Sequence, residues 1–414
     1  MPPLPGRPRR LALWILLCAL GTSGAARAEP PPPAASPDEL RQLEAGLAAD
    51  AAEGAPAPAV AEPAGTAVGR FLQSMNPDIA LILDVALGVF SSREPLQVGA
   101  HDPTGTGFTF QQLELSMGAN VGPYFRLDAN LVFSQFGVEV EEAYGTTLGL
   151  PGRLQIRAGQ FLSRFGRLNA THPHQWHFVD QPLVLGKFFG GEGNRGLGLE
   201  VSWLTPLPWY VELVASAGQA DGECCNRSYY GGDDPGVDGL EDFLYTLAIK
   251  QFFPLSGDLG LSLGLSAQLG PNATGNRNRT DVYGLDLHLR WRPASSTRRT
   301  ALSLEIEALF RSRQVPHGLL QDAGGLAQVV WSIVPEWEVG ARYELVSGLA
   351  DDPLDTEWTG LRHRGSVQGT YYPSHFSRIR LQGGVDDPAW RSKPIWSAVL
   401  SLELLIGAHG AHRY

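Results

Sequence analysis

Residues 281–291 read DVYGLDLHLRW, and their strict alternation is the feature that most constrains the fold. One parity is apolar and comprises Tyr283, Leu285, Leu287, Leu289 and Trp291. The other parity carries Asp286, His288 and Arg290. Because successive strand residues point to opposite faces, one face meets an apolar phase and the other meets water or charge. The pattern recurs over most of the chain, and in an exported protein it predicts a β-barrel whose outer face contacts lipid.

The N-terminus has the features of a secretory signal peptide. Arg7, Arg9 and Arg10 precede an apolar run at 11–20, and a small-x-small sequence ends at Ala28. The run is too short to span a bilayer comfortably, which favours a cleaved signal over an anchor helix. We expect residues 1–28 to be removed and the mature protein to be exported.

The charge balance excludes one class of partner. The chain has 32 basic and 43 acidic residues, a net charge of −11. The signal contains four arginines and no acidic residue, so 28 basic residues remain against 43 acidic ones, a net charge of −15. Nucleic-acid binding requires a basic surface, so we expect no nucleic-acid partner. No long apolar run follows the signal, which predicts no helical membrane spans.

Two adjacent cysteines, Cys224 and Cys225, remain in the mature chain. Adjacent residues cannot form a disulfide framework. A vicinal disulfide, a thiol pair for a metal and simple loop residues are the three interpretations, and we favour the last.

The chain divides into four parts. After the signal, residues 29–75 are rich in Pro and Ala and predict a periplasmic linker. Within it, Leu40, Leu43 and Leu47 could form one short amphipathic helix, either as an oligomerisation element or, as we favour, as a transient helix. Residues 76–406 contain about 16 segments of the length that a tilted membrane strand needs, and the first is predicted at 78–90. Residues 407–414 form a C-terminal tail.

The connections between these segments alternate in length, which fixes the orientation of the barrel. Short turns with Pro or Gly alternate with long polar loops, as in outer-membrane barrels with short periplasmic turns. Trp203, Trp209, Trp331 and Trp337 flank two short turns and predict an aromatic girdle. A soluble β-sandwich would also alternate, but charges on the polar parity and tryptophans at strand ends favour the barrel.

If the apolar parity faces lipid, the polar parity lines the interior. The residues that we predict to line a pore are Arg126, Asp128, Arg157, Asp286, His288, Arg290, Glu305, Glu307, Glu338, Arg342, Arg378 and Arg380. Both signs of charge occur, which predicts a water-filled passage for small hydrophilic solutes with modest selectivity. The alternative is that these charges pair with one another and fill a narrow barrel.

The longest outer loop, residues 164–195, is the third in order along the chain. Its many aromatic and apolar residues are unusual for an exposed loop. We expect it to fold inward and narrow the passage.

The order of segments is similar to that of single-chain outer-membrane porins, in which the third outer loop folds into the lumen. The stretch NPDI at 76–79, the stretch 161–183 with its THPHQW core, and GAHGAH at 407–412 resemble a proteobacterial porin-like family. Its members are described as relatives of phosphate-selective porins or as zinc-regulated outer-membrane receptors. The resemblance implies a homotrimer in outer-membrane lipid, and the terminal Tyr414 resembles the signal that the barrel-insertion machinery reads. The chain departs from both descriptions, because it has few lysines and its linker cannot form a globular plug.

His172, His174 and His177 lie within six positions of one another in the loop. Imidazole is a common zinc ligand, so these three residues are a candidate metal site. Structural hydrogen bonding is the default interpretation. His409 and His412 lie near the C-terminus, at the opposite end of the predicted barrel from this loop.

These observations together predict a passive channel in the outer membrane of a Gram-negative bacterium, without enzymatic activity and without an obligatory cofactor. The first alternative is a zinc- or other metal-linked receptor, and a second is an enzyme with its site at the barrel rim. A third is a surface adhesin or assembly module, which the acidic outer loops suggest. No Ser/His/acid arrangement is evident from the spacing of the residues.

Overall fold

The computed structural model describes residues 77–407, apart from 95, 136, 223, 234 and 295–298. The predicted signal peptide, the linker with its short helix, His409, His412 and Tyr414 lie outside the described residues.

Sixteen antiparallel strands close into one barrel, each paired with its neighbours in the sequence and β1 paired with β16. The strands are β1 Asp78–Phe90, β2 Gly107–Val121, β3 Phe125–Ser134, β4 Gly137–Thr147, β5 Leu154–Leu162, β6 Arg195–Leu204, β7 Tyr210–Gly218, β8 Leu244–Pro254, β9 Leu259–Pro271, β10 Arg279–Trp291, β11 Ala301–Val315, β12 Gly318–Val334, β13 Trp337–Val346, β14 Arg362–Ser374, β15 Ser377–Pro388 and β16 Ile395–Gly407. The predicted fold class, an all-β transmembrane barrel of about 16 strands, is confirmed.

The pairing of β1 with β16, which closes the barrel, shows how the alternation separates the two faces of the wall. Leu83 lies opposite Leu404, while the next pair, Asp84 and Glu403, belongs to the other face. The ring of paired strands leaves no sheet edge, so the backbone polar groups of the strands are satisfied without water.

The outer face of the barrel is apolar and exposed. Trp203, Trp209, Trp331 and Trp337 are all exposed and lie at the ends of strands next to short turns, as an aromatic girdle requires. Exposing an apolar band of this extent to water is unfavourable, and the band matches the hydrocarbon layer of a membrane.

Helical structure in the described residues is confined to the connections. Short 3₁₀ turns occur at Pro151–Arg153, Pro173–Gln175 and Leu240–Asp242, and the helix α1 is Leu183–Phe189. No helix among the described residues is long and apolar enough to cross a membrane.

The main apolar core lies inside the barrel, between the wall and the third outer loop (residues 163–194). Phe165, Leu183, Phe188 and Phe189 of this loop are fully buried and belong to one cluster with wall residues such as Leu309. The third outer loop is therefore packed as a core element and not as a surface loop.

Candidate functional site

The third outer loop crosses the barrel interior and is fixed at both walls by hydrogen bonds. Near its start, the Gly166 N–H donates to Ser266 Oγ on β9 (2.9 Å), and the Leu168 N–H donates to Glu307 Oε2 on β11 (3.0 Å). Further along, the Val179 N–H donates to Gln382 Oε1 on β15 (2.7 Å). The loop therefore divides the interior.

Asp180 is the most connected of the loop carboxylates. Arg342 Nη2 donates to its Oδ1 at 2.5 Å, Arg364 Nη1 lies 3.1 Å from its Oδ2, and Gln382 Nε2 donates to Oδ1 at 2.7 Å. Burial disfavours the charged carboxylate, but the two guanidinium groups outweigh burial and lower the pKa of Asp180 to about 2. Asp180 is therefore charged at neutral pH and ties the loop to β13, β14 and β15.

Asp102, from the first outer loop (residues 91–106), supports the same region. Its Oδ1 accepts the Gln181 N–H at 2.9 Å. Burial, together with the nearby charge of Asp180, raises the pKa of Asp102 to about 6.

Arg378 and Arg380 on β15 bind the backbone of the third outer loop. Both donate from Nη1 to the Trp176 carbonyl oxygen at 3.0 Å, and Arg378 also donates to the His174 carbonyl oxygen at 2.6 Å. Arg378 forms an ion pair with Glu403 as well. Both arginines are buried beneath the loop.

Helix α1 packs against β11, β12 and β13 in the outer part of the interior. Lys187 is fully buried and donates to Asp322 and to the Ser347 carbonyl oxygen. Arg311 also binds Asp322, with Nη2 2.7 Å from Oδ2, and contacts Asp355 of the seventh outer loop (residues 347–361). Paired charges therefore surround helix α1 at this end of the interior.

The three loop histidines are distributed over two walls. His172 and His174 are stacked, with ring centroids 5.6 Å apart. His174 Nδ1 lies 2.9 Å from Glu114 Oε2 on β2. His177 Nδ1 instead lies 2.9 Å from Glu338 Oε1 on β13. The structure therefore brings two of the three candidate ligands together, and gives each histidine a carboxylate partner.

His172 is held between two successive glutamates. Its Nδ1 lies 3.0 Å from Glu141 Oε2 and its Nε2 lies 2.9 Å from Glu142 Oε2. Burial opposes protonation of the imidazole, but these carboxylates outweigh burial and raise the pKa of His172 well above its usual value.

A β-bulge explains why both glutamates reach the same histidine. Successive residues of a regular strand face opposite ways, but the register between β3 and β4 shifts after the pair Asn130–Glu142, so that Leu131 lies opposite Val140. Glu141 is the extra residue of this bulge, which re-aims its side chain inward.

The twelve residues predicted to line a pore all lie on strands and on the interior parity. Seven are buried: Asp286, Glu305, Glu307, Glu338, Arg342, Arg378 and Arg380. Arg126, Asp128, Arg157, His288 and Arg290 are partly exposed. Arg126 Nε pairs with Asp128 at 2.8 Å and Arg157 Nη2 with Glu200 at 3.0 Å. Their role in lining a channel stays a prediction. Six of the seven buried residues, all except Asp286, contact the third outer loop in the structure.

Two contacts between a basic side chain and a carboxylate, at the exposed surface of the third outer loop, share an asymmetry. Arg167 Nε lies 3.2 Å from Glu305 Oε1, and the arginine side chain is 44% exposed while the glutamate is 9% exposed. His177 is 39% exposed and its partner Glu338 is 6% exposed. Each pair buries its anion and presents its basic group.

The preferred interpretation of the adjacent cysteines, simple loop residues, is wrong, because Cys224 and Cys225 form a vicinal disulfide. They lie in the fourth outer loop (residues 219–243), whose backbone contacts the third. The Glu192 N–H donates to the Cys224 carbonyl oxygen at 3.3 Å, and the Arg227 N–H donates to that of Phe189 at 3.1 Å.

Several residues of the site did not emerge from the sequence. Glu114 could have been found, because it continues the polar parity of Gln112 between Leu113 and Leu115. Glu141 could not, since its inward direction depends on the bulge. Arg167 could not be identified either, because the sequence shows only that it lies in the third outer loop and not that its side chain is exposed.

Comparisons with known proteins agree with this architecture. The chain is 32% identical over 388 residues to an uncharacterized protein of Aquifex aeolicus (strain VF5), and the alignment covers 82% of this chain and 80% of the relative. No family model matches the chain.

Three solved structures share the fold. The first is OprB of Pseudomonas putida (TM-score 0.57, 10% identity, 83% of this chain and 96% of that chain). The second is the outer membrane channel DcaP of Acinetobacter baumannii (TM-score 0.55, 12% identity, 81% and 98%). The third is an anion-selective porin from Comamonas acidovorans (TM-score 0.53, 12% identity, 80% and 99%). The chain therefore belongs to the family of the Aquifex aeolicus protein, and it is a bacterial outer-membrane barrel with the porin fold.

Proposed function

We propose that this protein is a passive outer-membrane channel for small hydrophilic solutes, narrowed by the third outer loop and favouring anions at that level. The barrel class supports the first part, because 16 strands enclose an interior wide enough for an aqueous passage. The inward position of the third outer loop supports the proposal that this loop narrows the channel.

The observation that carries the anion preference is the asymmetry of the two contacts between a basic side chain and a carboxylate at the loop surface. Arg167 and His177 are exposed, while their partners Glu305 and Glu338 are buried. Arg290 is partly exposed on the same interior face. A solute that passes the loop therefore meets basic groups in preference to carboxylates, and such a wall concentrates anions in a narrow passage.

The size of the preference follows from Coulomb's law. One unit charge about 7 Å from a permeating ion contributes about 0.6 kcal/mol at the dielectric constant of water. The local anion concentration then rises about two- to threefold and the cation concentration falls by the same factor, so their ratio changes about sevenfold without salt. With a Debye length of about 10 Å, screening reduces this to about a two- to threefold change in the ratio. We therefore expect modest selectivity.

The test is planar-bilayer recording of the refolded protein under a KCl gradient. We expect discrete conductance steps and a reversal potential that favours chloride. Arg167→Gln should lower the ratio of chloride to potassium permeability by about twofold. Lys393→Gln, which removes the same charge from an exposed residue of the eighth outer loop (389–394), is the matched control and should leave the ratio unchanged.

Two results would overturn the proposal. Silence from protein with a demonstrably folded barrel would reject the channel. Equal effects of the Arg167 and Lys393 substitutions would reject the role of the loop surface in selectivity.

A further inference from the structure

A compact set of metal-ligating side chains lies where the third outer loop meets β2 and β4. Ligand atoms of Glu114, Glu141 and His172 all lie within 4.8 Å of one another. His172 Nδ1 is 3.0 Å from Glu141 Oε2 and 3.9 Å from Glu114 Oε1. The three side chains come from three separate elements, so the barrel must be formed before the set exists.

The spacing matches the edge of a zinc coordination polyhedron. Zinc binds imidazole nitrogen and carboxylate oxygen at about 2.0–2.2 Å, so neighbouring ligand atoms of a tetrahedral site lie about 3.4 Å apart. The two distances from His172 Nδ1 lie on either side of this value. Small side-chain movements would therefore place all three atoms around one ion.

The second nitrogen of His172 is already oriented for such a role. Its Nε2 lies 2.9 Å from Glu142 Oε2, and an N–H at this position donates to the carboxylate. A ligating histidine commonly donates its other ring N–H to a carboxylate, which fixes the orientation of the ring. A metal ion would then replace the proton on Nδ1. Glu142 therefore has the position of an orienting residue, and His174, 2.9 Å from the other oxygen of Glu114, orients that ligand.

The local charge also favours a cation. Glu114, Glu141 and Glu142 are buried, and the imidazoles of His172 and His174 contact them. Three buried carboxylates exceed the charge of two imidazoles even when both are protonated, and buried charge is costly unless it is compensated. The bulge that turns Glu141 inward adds to this excess, and β-bulges are frequent next to functional sites.

We propose that Glu114, Glu141 and His172 form a binding site for a divalent first-row metal ion, with zinc as the reference ion, that links the third outer loop to β2 and β4. The set differs from the three histidines expected from the sequence, since His177 is bound to Glu338 on another wall. The test of this site does not depend on the proposed channel function, because metal binding is measured in detergent without any current.

The experiment measures zinc stoichiometry in the refolded, detergent-solubilised chain without an affinity tag. The background protein carries His409→Gln and His412→Gln, so that the C-terminal histidines do not contribute. Reductant is omitted, so that Cys224 and Cys225 stay in their disulfide and offer no thiolate. A competing chromophoric chelator reports the affinity.

We expect one zinc ion per chain, and at least a 100-fold loss of affinity in Glu141→Gln and in His172→Gln. His177→Gln is the matched control, because it removes a histidine with a similar carboxylate contact from the same loop. Unchanged affinity in either of the first two variants, or no saturable binding by the folded background protein, would overturn the proposal.

X-ray absorption of the zinc-loaded background protein gives a readout that needs no further variant. The proposed site predicts a shell of nitrogen and oxygen ligands that includes one imidazole. A shell with two or more imidazoles would reject this ligand set.

Discussion

Replacing Asp180 by Asn should release the middle of the third outer loop from the barrel wall. The asparagine keeps the size of the side chain but removes the charge that faces Arg342 and Arg364, 2.5 and 3.1 Å away. Its amide group also presents N–H donors where the two guanidinium groups need acceptors. Both arginines are buried, so water cannot compensate for the loss.

Two independent arguments give the magnitude. The shift of the Asp180 pKa from 3.8 to about 2 corresponds to about 2 kcal/mol in favour of the charged form. Removing one partner of a buried ion pair costs about 3–5 kcal/mol in other proteins. We therefore expect the free energy of undocking the loop to fall by at least about 2 kcal/mol, which is about a 30-fold change in the docking equilibrium.

Hydrogen exchange with mass spectrometry measures this directly. The N–H groups of Val179, Gln181 and Leu183 donate to side chains of Gln382, Asp102 and Glu344 and exchange only when the loop undocks. In Asp180→Asn, peptides that cover 177–185 should exchange at least about 30-fold faster, while strand peptides stay protected. Asp387→Asn, at an exposed residue of β15, is the matched control. Less than a threefold acceleration would refute the assignment of Asp180 as the anchor.

Two further predictions concern the same loop. Because the folded-state pKa of Asp180 is depressed, the contribution of its carboxylate to loop docking is fully present above pH about 4 and is lost as the pH falls towards about 2. The fluorescence of Trp176 should report undocking of the loop in that pH range. Asp180→Asn should remove this transition. Gly190→Ala should separate the third and fourth outer loops, because Gly190 has φ +104° and an added Cβ would lie 2.7 Å from the Cys224 carbonyl oxygen. Exchange of the amides at 224–229 should accelerate in this variant, whereas Gly232→Ala, with no atom within 4 Å of the added Cβ, should leave it unchanged.

The sequence was sufficient for the barrel because alternation is a local signal. The predicted first strand, 78–90, has the bounds that the structure gives to β1. The alternating segment 281–291 lies within β10, which begins two residues earlier, at Arg279. Each strand needs only its own residues to indicate two faces.

The interior was less predictable because its contacts join distant parts of the chain. Arg378 has the interior parity that alternation predicts, but only the folded loop shows that its guanidinium binds the His174 carbonyl, 204 residues away in sequence. Glu141 has the wrong parity for an inward side chain until the bulge is known. The disulfide of Cys224 and Cys225 depends on a local loop conformation that residue types do not specify.

The contacts of the third outer loop with distant strands also have a consequence for the order in which the parts of the barrel form. The loop follows β5, but its middle part binds Glu338 on β13 and Gln382 on β15, which are 161 and 203 residues further along the chain from their partners His177 and Val179. Contacts of such long sequence separation form slowly, because the intervening chain must first be ordered. When the early strands are already paired, this loop still lacks its binding partners. We therefore expect the barrel wall to close first and the third outer loop to dock last. A late kinetic phase of folding would then report docking of this loop and not formation of the strands.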